Sequence, residues 1–78
     1  MFENLKIKRR IRALKAQIAD LEKKRARSQS ALMAAIVEHK EASDEDVDYF
    51  NRYSTHIDLL RERIRTLQKQ LEENKSKK

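Results

Sequence analysis

Large apolar residues recur along most of this chain at alternating steps of three and four. In the first half they are Ile7, Ile11, Leu14, Ile18, Leu21 and Leu32, and in the second Phe50, Tyr53, Ile57, Leu60, Ile64, Leu67 and Leu71. Such spacing draws a slowly turning stripe along a helix, and two stripes of this kind bury each other as a coiled coil. Folded about a midpoint between Ala42 and Ser43, the stripes match in antiparallel order. Leu14 then faces Leu71, Ile18 faces Leu67, Leu21 faces Ile64, Leu32 faces Tyr53 and Ala35 faces Phe50. The heptad fixes this pairing only modulo its own length. The expected fold class is all-α: an antiparallel two-helix coiled-coil hairpin, dimerising into a four-helix arrangement.

The same pattern predicts a single domain over residues 1–78. Helix 1 is expected over about 3–40, a turn at 41–43, helix 2 over about 44–74, and a disordered basic tail at 75–78. Ser43 suits the N-cap of helix 2, because its hydroxyl can accept a bond from an unpaired backbone N–H. Asp44, Glu45 and Asp46 fill the first turn, where the helix dipole favours negative charge, with Asp46 at the capping-box position. Ala42 and Val47 are placed to form a small hydrophobic staple. No glycine is available for a left-handed C-cap, so helix 1 is expected to end in a frayed turn. At a rise of about 1.5 Å per residue the rod should be about 50 Å long.

The first stripe is interrupted. Arg25 and Ser28 occupy seam positions opposite Leu60 and Ile57. Ser28 against Ile57 and Ala35 against Phe50 read as small-against-large packing. Arg25 must snorkel out or pair with Asp58 or Glu62, and as a polar seam residue it would specify register at some cost in stability.

Composition agrees with long helices: there is no Gly, Pro or Cys, and 41% of residues are charged. A chain this short builds only a thin core, which favours association with partners. The lack of cysteine removes disulfides and thiolate metal sites. No apolar run approaches a membrane span and no signal-peptide core is visible, so a cytoplasmic, non-membrane protein is expected. Charge is segregated. Residues 1–27 carry ten basic and three acidic side chains, and residues 38–48 carry six acidic ones against Lys40 alone. Residues 49–78 are basic again, with Arg61, Arg63, Arg65 and Lys69. The hairpin is thus a rod with a basic open end and an acidic tip (Asp44, Glu45, Asp46), at net charge +6. Lys8, Arg9, Arg10, Arg12, Arg61 and Arg65 are candidate nucleic-acid contacts, although no aromatic or base-reading residues interleave with them.

A second apolar set argues for a protein partner. Met33, Ile36 and Val37 lie outside the first seam, as do Val47 and Tyr49 on helix 2, with Leu59 further along. Two helices cannot cover all of these, so the tip half should carry an exposed patch. The preferred resolution is a homodimer forming a four-helix bundle over that half, with a hetero-partner as the alternative.

Catalytic signatures are lacking. There is no phosphate-cradling glycine loop and no serine or cysteine beside a histidine at a nucleophile spacing. His39 and His56 fall on different helices. His39, near Glu38 and Glu41, faces Asp46 in the expected pairing. A hydrogen bond between His39 and Asp46 is preferred there to a loosely held divalent ion. No catalytic residue, cofactor or metal is therefore assigned.

Ala34-Ala35-Ile36, Glu38 and Glu41 before the turn, Asp44 with its following acids, Tyr49 and Arg63-Ile64 together give residues 31–71 a resemblance to a known hairpin. It is the N-terminal coiled coil of bacterial Gre-type transcript cleavage factors. The resemblance implies an acidic tip that enters the RNA polymerase secondary channel and helps hold a catalytic magnesium ion, with Asp44 and Asp46 as the tip acids. The family's turn glycine is missing here, the loop is one residue shorter, and no counterpart of its globular C-terminal domain is present. The sequence reading is thus a non-enzymatic, self-associating interaction module, a small adaptor or regulator. A nucleic-acid accessory protein and a polymerase-channel factor are the alternatives.

Overall fold

With neither glycine nor proline in the chain, helix formation is opposed only where backbone groups find other partners. That happens once. The computed structural model, which describes residues 2–76, contains two helices, α1 (Phe2–Val37) and α2 (Asp44–Ser76). They pack against each other along a rod with extents of 61 × 16 × 15 Å. The rod is longer than expected partly because α2 continues through Ser76, beyond the expected helix end at 74. Of the expected disordered tail, Lys77 and Lys78 lie outside the described residues.

The end of α1 differs from expectation. The helix stops at Val37 rather than Lys40, and it is capped rather than frayed. His39 takes a left-handed conformation, with φ 56°. Its N–H donates to the Ile36 carbonyl at 3.1 Å, and the Lys40 N–H reaches back to the Ala35 carbonyl at 2.8 Å. These crossed bonds form a Schellman motif, which satisfies carbonyls that a helix end otherwise leaves unpaired. Glycine is the usual occupant of the left-handed position, but histidine is among the side chains enriched there. At the start of α2, Ser43 is the N-cap, its carbonyl accepting the Val47 N–H at 3.1 Å. Among the described residues neither the expected Ser43 hydroxyl bond nor a His39–Asp46 bond is formed.

All expected seam residues are buried or half-buried. Ile7, Ile11, Ile18, Ile57, Leu60 and Ile64 form the core, with Leu14, Leu21, Leu67 and Leu71 packed against it. Ile57 and Leu60 are 0% and 1% exposed. Their register, however, is displaced by one heptad from the expected pairing. Asn74 Nδ2 donates to Asn4 Oδ1 at 2.9 Å in a half-buried contact, whereas the expected pairing would have set Asn74 against Ile11. It would also have faced Ile7 with Lys78, yet Ile7 and Ile11 are both buried. The observed register sets Ile7 against Leu71, Ile11 against Leu67, Leu14 against Ile64, Ile18 against Leu60 and Leu21 against Ile57. The midpoint of the hairpin accordingly falls at His39, the left-handed residue, and not between Ala42 and Ser43.

This shift changes the neighbours of the polar seam residues. Arg25 now lies opposite Tyr53 and remains half-buried, and among the described residues it pairs with neither Asp58 nor Glu62. Glu62 is instead held by Arg65 on its own helix. Ser28, 8% exposed, lies opposite Phe50, so small-against-large packing persists with a different partner. An ion pair crosses between the helices, where Arg61 Nη2 meets Glu22 Oε1 at 3.1 Å. Both side chains are about half exposed, which makes the pair a minor contributor to stability.

Three outcomes are expected. Leu60→Ala, at the most enclosed layer, should cost roughly 2–4 kcal/mol in urea unfolding. His39→Gly should raise stability by about 0.5–1 kcal/mol by removing the left-handed penalty, and His39→Val should lower it. For register, oxidation of an Asn4→Cys/Asn74→Cys chain should give an intramolecular disulfide, detectable by gel mobility. An Ile11→Cys/Asn74→Cys chain should stay reduced, and the reverse result would restore the expected pairing.

Candidate interaction surface

Each residue of a two-helix coiled coil has one of two fates: it lies on the seam or it faces outward. Met33, Ile36 and Val37 fall outside the α1 seam at helical steps of three and one, and they are 55%, 66% and 74% exposed. Val47 and Tyr49 on α2 are also exposed. The helical turn separates these last two by about 200°, so they flank the seam on opposite sides. Val47 lies on the flank that carries the Glu22–Arg61 ion pair, as do Met33 and Ile36. Tyr49 lies on the other flank and stacks on Tyr53, with ring centroids 6.1 Å apart and planes 15° apart. The expected five-residue surface is therefore Met33, Ile36 and Val47 on one flank, Val37 next to them at the outer back of α1, and a separate Tyr49.

The second flank has its own depression near the open end. A groove of about 570 Å³ lies between the helices, lined by Leu14, Leu59 and Leu67 together with Arg10, Gln17, Glu62, Arg63 and Thr66. Leu59, 57% exposed, is the outward apolar residue beside it. Leu5, at 49% exposure, adds an apolar residue that the sequence reading does not single out. Its heptad position, in line with Met33, is what marks it.

The basic candidates are all exposed but do not converge on one face. Lys8, Arg12, Arg61 and Arg65 share the flank of the Glu22–Arg61 pair. Arg10 lines the opposite groove, and Arg9 points along the outer back of α1. Arg61 and Arg65 are engaged by Glu22 and Glu62. At the tip, Asp44 and Glu45 are exposed and Asp46 is half-buried. Asp48 pairs with Arg52 at 2.9 Å and Glu38 with Lys40 at 3.5 Å. Among the described residues, no three His, Cys, Asp or Glu side chains converge so as to hold a metal ion. No helix among them is long and apolar enough to cross a membrane.

Comparison with known proteins yields no relative: no family model, no curated protein and no solved structure matches this chain. Any functional reading therefore has to come from the surface itself.

Charge neutralisation separates phosphate binding from other uses of the open end. Replacing Lys8, Arg9, Arg10 and Arg12 with Gln should leave helicity by circular dichroism unchanged, since these positions are exposed and Gln is a good helix former. If this end binds nucleic acid, the slope of log affinity against log salt should flatten by about 0.7–0.9 for each phosphate no longer neutralised. Wild-type protein that fails to retard DNA or RNA at low salt removes the nucleic-acid alternative.

Proposed function

We propose that this chain is a non-enzymatic helical-hairpin interaction module that self-associates, acting as a small adaptor or regulator. The observation that carries this reading is the uncovered apolar group Met33, Ile36, Val37 and Val47, on a fold too thin to bury it. Large side chains gain about 1.5–3 kcal/mol each when removed from water. A chain in water that leaves several of them together in the open has an incentive to cover them. A second copy of the chain is present at equal concentration, and closed twofold pairs are the commonest soluble assembly. The nucleic-acid and polymerase-channel alternatives have no observation of comparable weight. Of the four basic candidates that share a flank, Arg61 and Arg65 are engaged by Glu22 and Glu62, and of the tip acids Asp46 is half-buried.

Sedimentation equilibrium should show a dimer at micromolar concentration for the wild-type chain. Ile36→Lys/Val37→Lys should be monomeric, with helicity retained at low temperature and a lower Tm, because folding and assembly are linked. A wild-type chain that stays monomeric at high micromolar concentration would overturn the proposal.

A further inference from the structure

Two rows of side chains run along the flank of α1 that carries Glu22. Leu5, Arg12, Ala19, Ala26 and Met33 form a row that repeats every seven residues, and Lys8, Lys15, Glu22, Gln29 and Ile36 form the row beside it. All of them are exposed. The apolar members lie at the two ends, Leu5 at the open end and Met33 with Ile36 near the tip. The middle holds the small Ala19 and Ala26. Ala19 is equidistant in sequence from Leu5 and Met33.

We infer that the self-association proposed above, on which this inference rests, is head-to-tail. Two hairpins lie flank to flank with a twofold axis at Ala19, so that the acidic tip of each covers the basic open end of the other. In that arrangement Leu5 of one copy meets Met33 of its mate, and Lys15 meets Glu22. Alanine at the axis lets the two α1 helices approach closely.

Charge decides among the possible pairings. Two tips brought together would juxtapose two copies of the segment 38–48, each with six acidic side chains and one lysine. Two hairpins side by side in the same direction would in addition juxtapose two copies of 1–27, each with ten basic and three acidic side chains. Within a Debye length of about 8–10 Å both arrangements are repulsive. Head-to-tail pairing replaces both repulsions with attraction, setting Asp44–Asp48 level with Lys6 and Lys8 of the other copy. Area points the same way. The whole rod measures 61 × 16 × 15 Å, so roughly 800 Å² per partner of a stable interface needs overlap along most of its length, which a tip-to-tip contact lacks.

The chain has no cysteine, so single spin labels at Arg9→Cys, Lys23→Cys and Ser30→Cys, all on the outer back of α1, can be read in separate dimers. Head-to-tail pairing predicts a short distance at 23. It predicts distances at 9 and 30 that are longer by an axial offset of about 30 Å, from about 20 residues at 1.5 Å each. A parallel side-by-side dimer would give three similar distances, and a tip-to-tip dimer would give 30 shortest and 9 longest. Either pattern overturns the head-to-tail arrangement while leaving self-association standing. A monomer at all concentrations overturns both. Salt supplies an independent reading: dimer affinity should fall several-fold as ionic strength rises, and an affinity that rises with salt would count against the arrangement.

Discussion

One strip of apolar contact, a single layer of side chains deep, holds the two helices together. Ile57 and Leu60 are enclosed at its centre, with Ile18 and Leu21 across from them, and Ile7, Ile11 and Ile64 extend it toward the open end. Most of the other described residues are exposed. The ion pairs described are solvent-facing, and all but the Glu22–Arg61 pair lie within one helix or the turn. Such pairs contribute a few tenths of a kcal/mol each. A fold with so little interior has no reserve against a cavity. It also has no second layer to cover apolar side chains that fall off the strip, which makes Met33, Ile36 and Val37 informative.

The strip is legible in the sequence because apolar periodicity is a direct projection of burial. Its register is not. A heptad repeat permits any displacement by whole heptads, and the stripe alone carries nothing to choose among them. What decides is polar and local: the Asn4–Asn74 hydrogen bond, and a turn that can close on His39. One sign of the right choice is present in the sequence. The expected pairing leaves Ile7 and Ile11 facing Lys78 and Asn74, a poor use of two isoleucines. The turn escapes sequence reading for a related reason. Glycine is the expected signal for a left-handed position, while the backbone geometry admits histidine at modest cost.

Surface features are legible by subtraction. Residues left over from the seam should be exposed, and Met33, Ile36, Val37, Val47 and Tyr49 are. Their grouping needs angular position as well as sequence proximity. Val47 and Tyr49 are two residues apart, yet they lie on opposite flanks. Leu5 is hard to recognise because its relation to Met33 spans four heptads, beyond the window in which neighbouring side chains are usually compared. Arg25 has acidic partners only in the expected register, and in the observed one it lies opposite an aromatic ring instead.

The uneven depth of the seam constrains the order in which the chain can fold. A hairpin is usually pictured as zipping from its turn, but here the layers nearest the turn set Leu32 level with Asp46 and Ser28 against Phe50, and they bury little. The first layers to return substantial apolar burial are Leu21 with Ile57 and Ile18 with Leu60, pairs 36 and 42 residues apart. Closing a loop of that size instead of a 22-residue one (Ser28 to Phe50) costs well under 1 kcal/mol more, because closure entropy grows only logarithmically with length. The mid-rod encounter is therefore the efficient nucleus, with two preformed helical segments colliding at their centres and the turn annealing afterwards. Chains that collide one heptad out of step lose the partners of Ile7 and Ile11 and the Asn4–Asn74 hydrogen bond, so the register is selected as the open end closes and not at the turn.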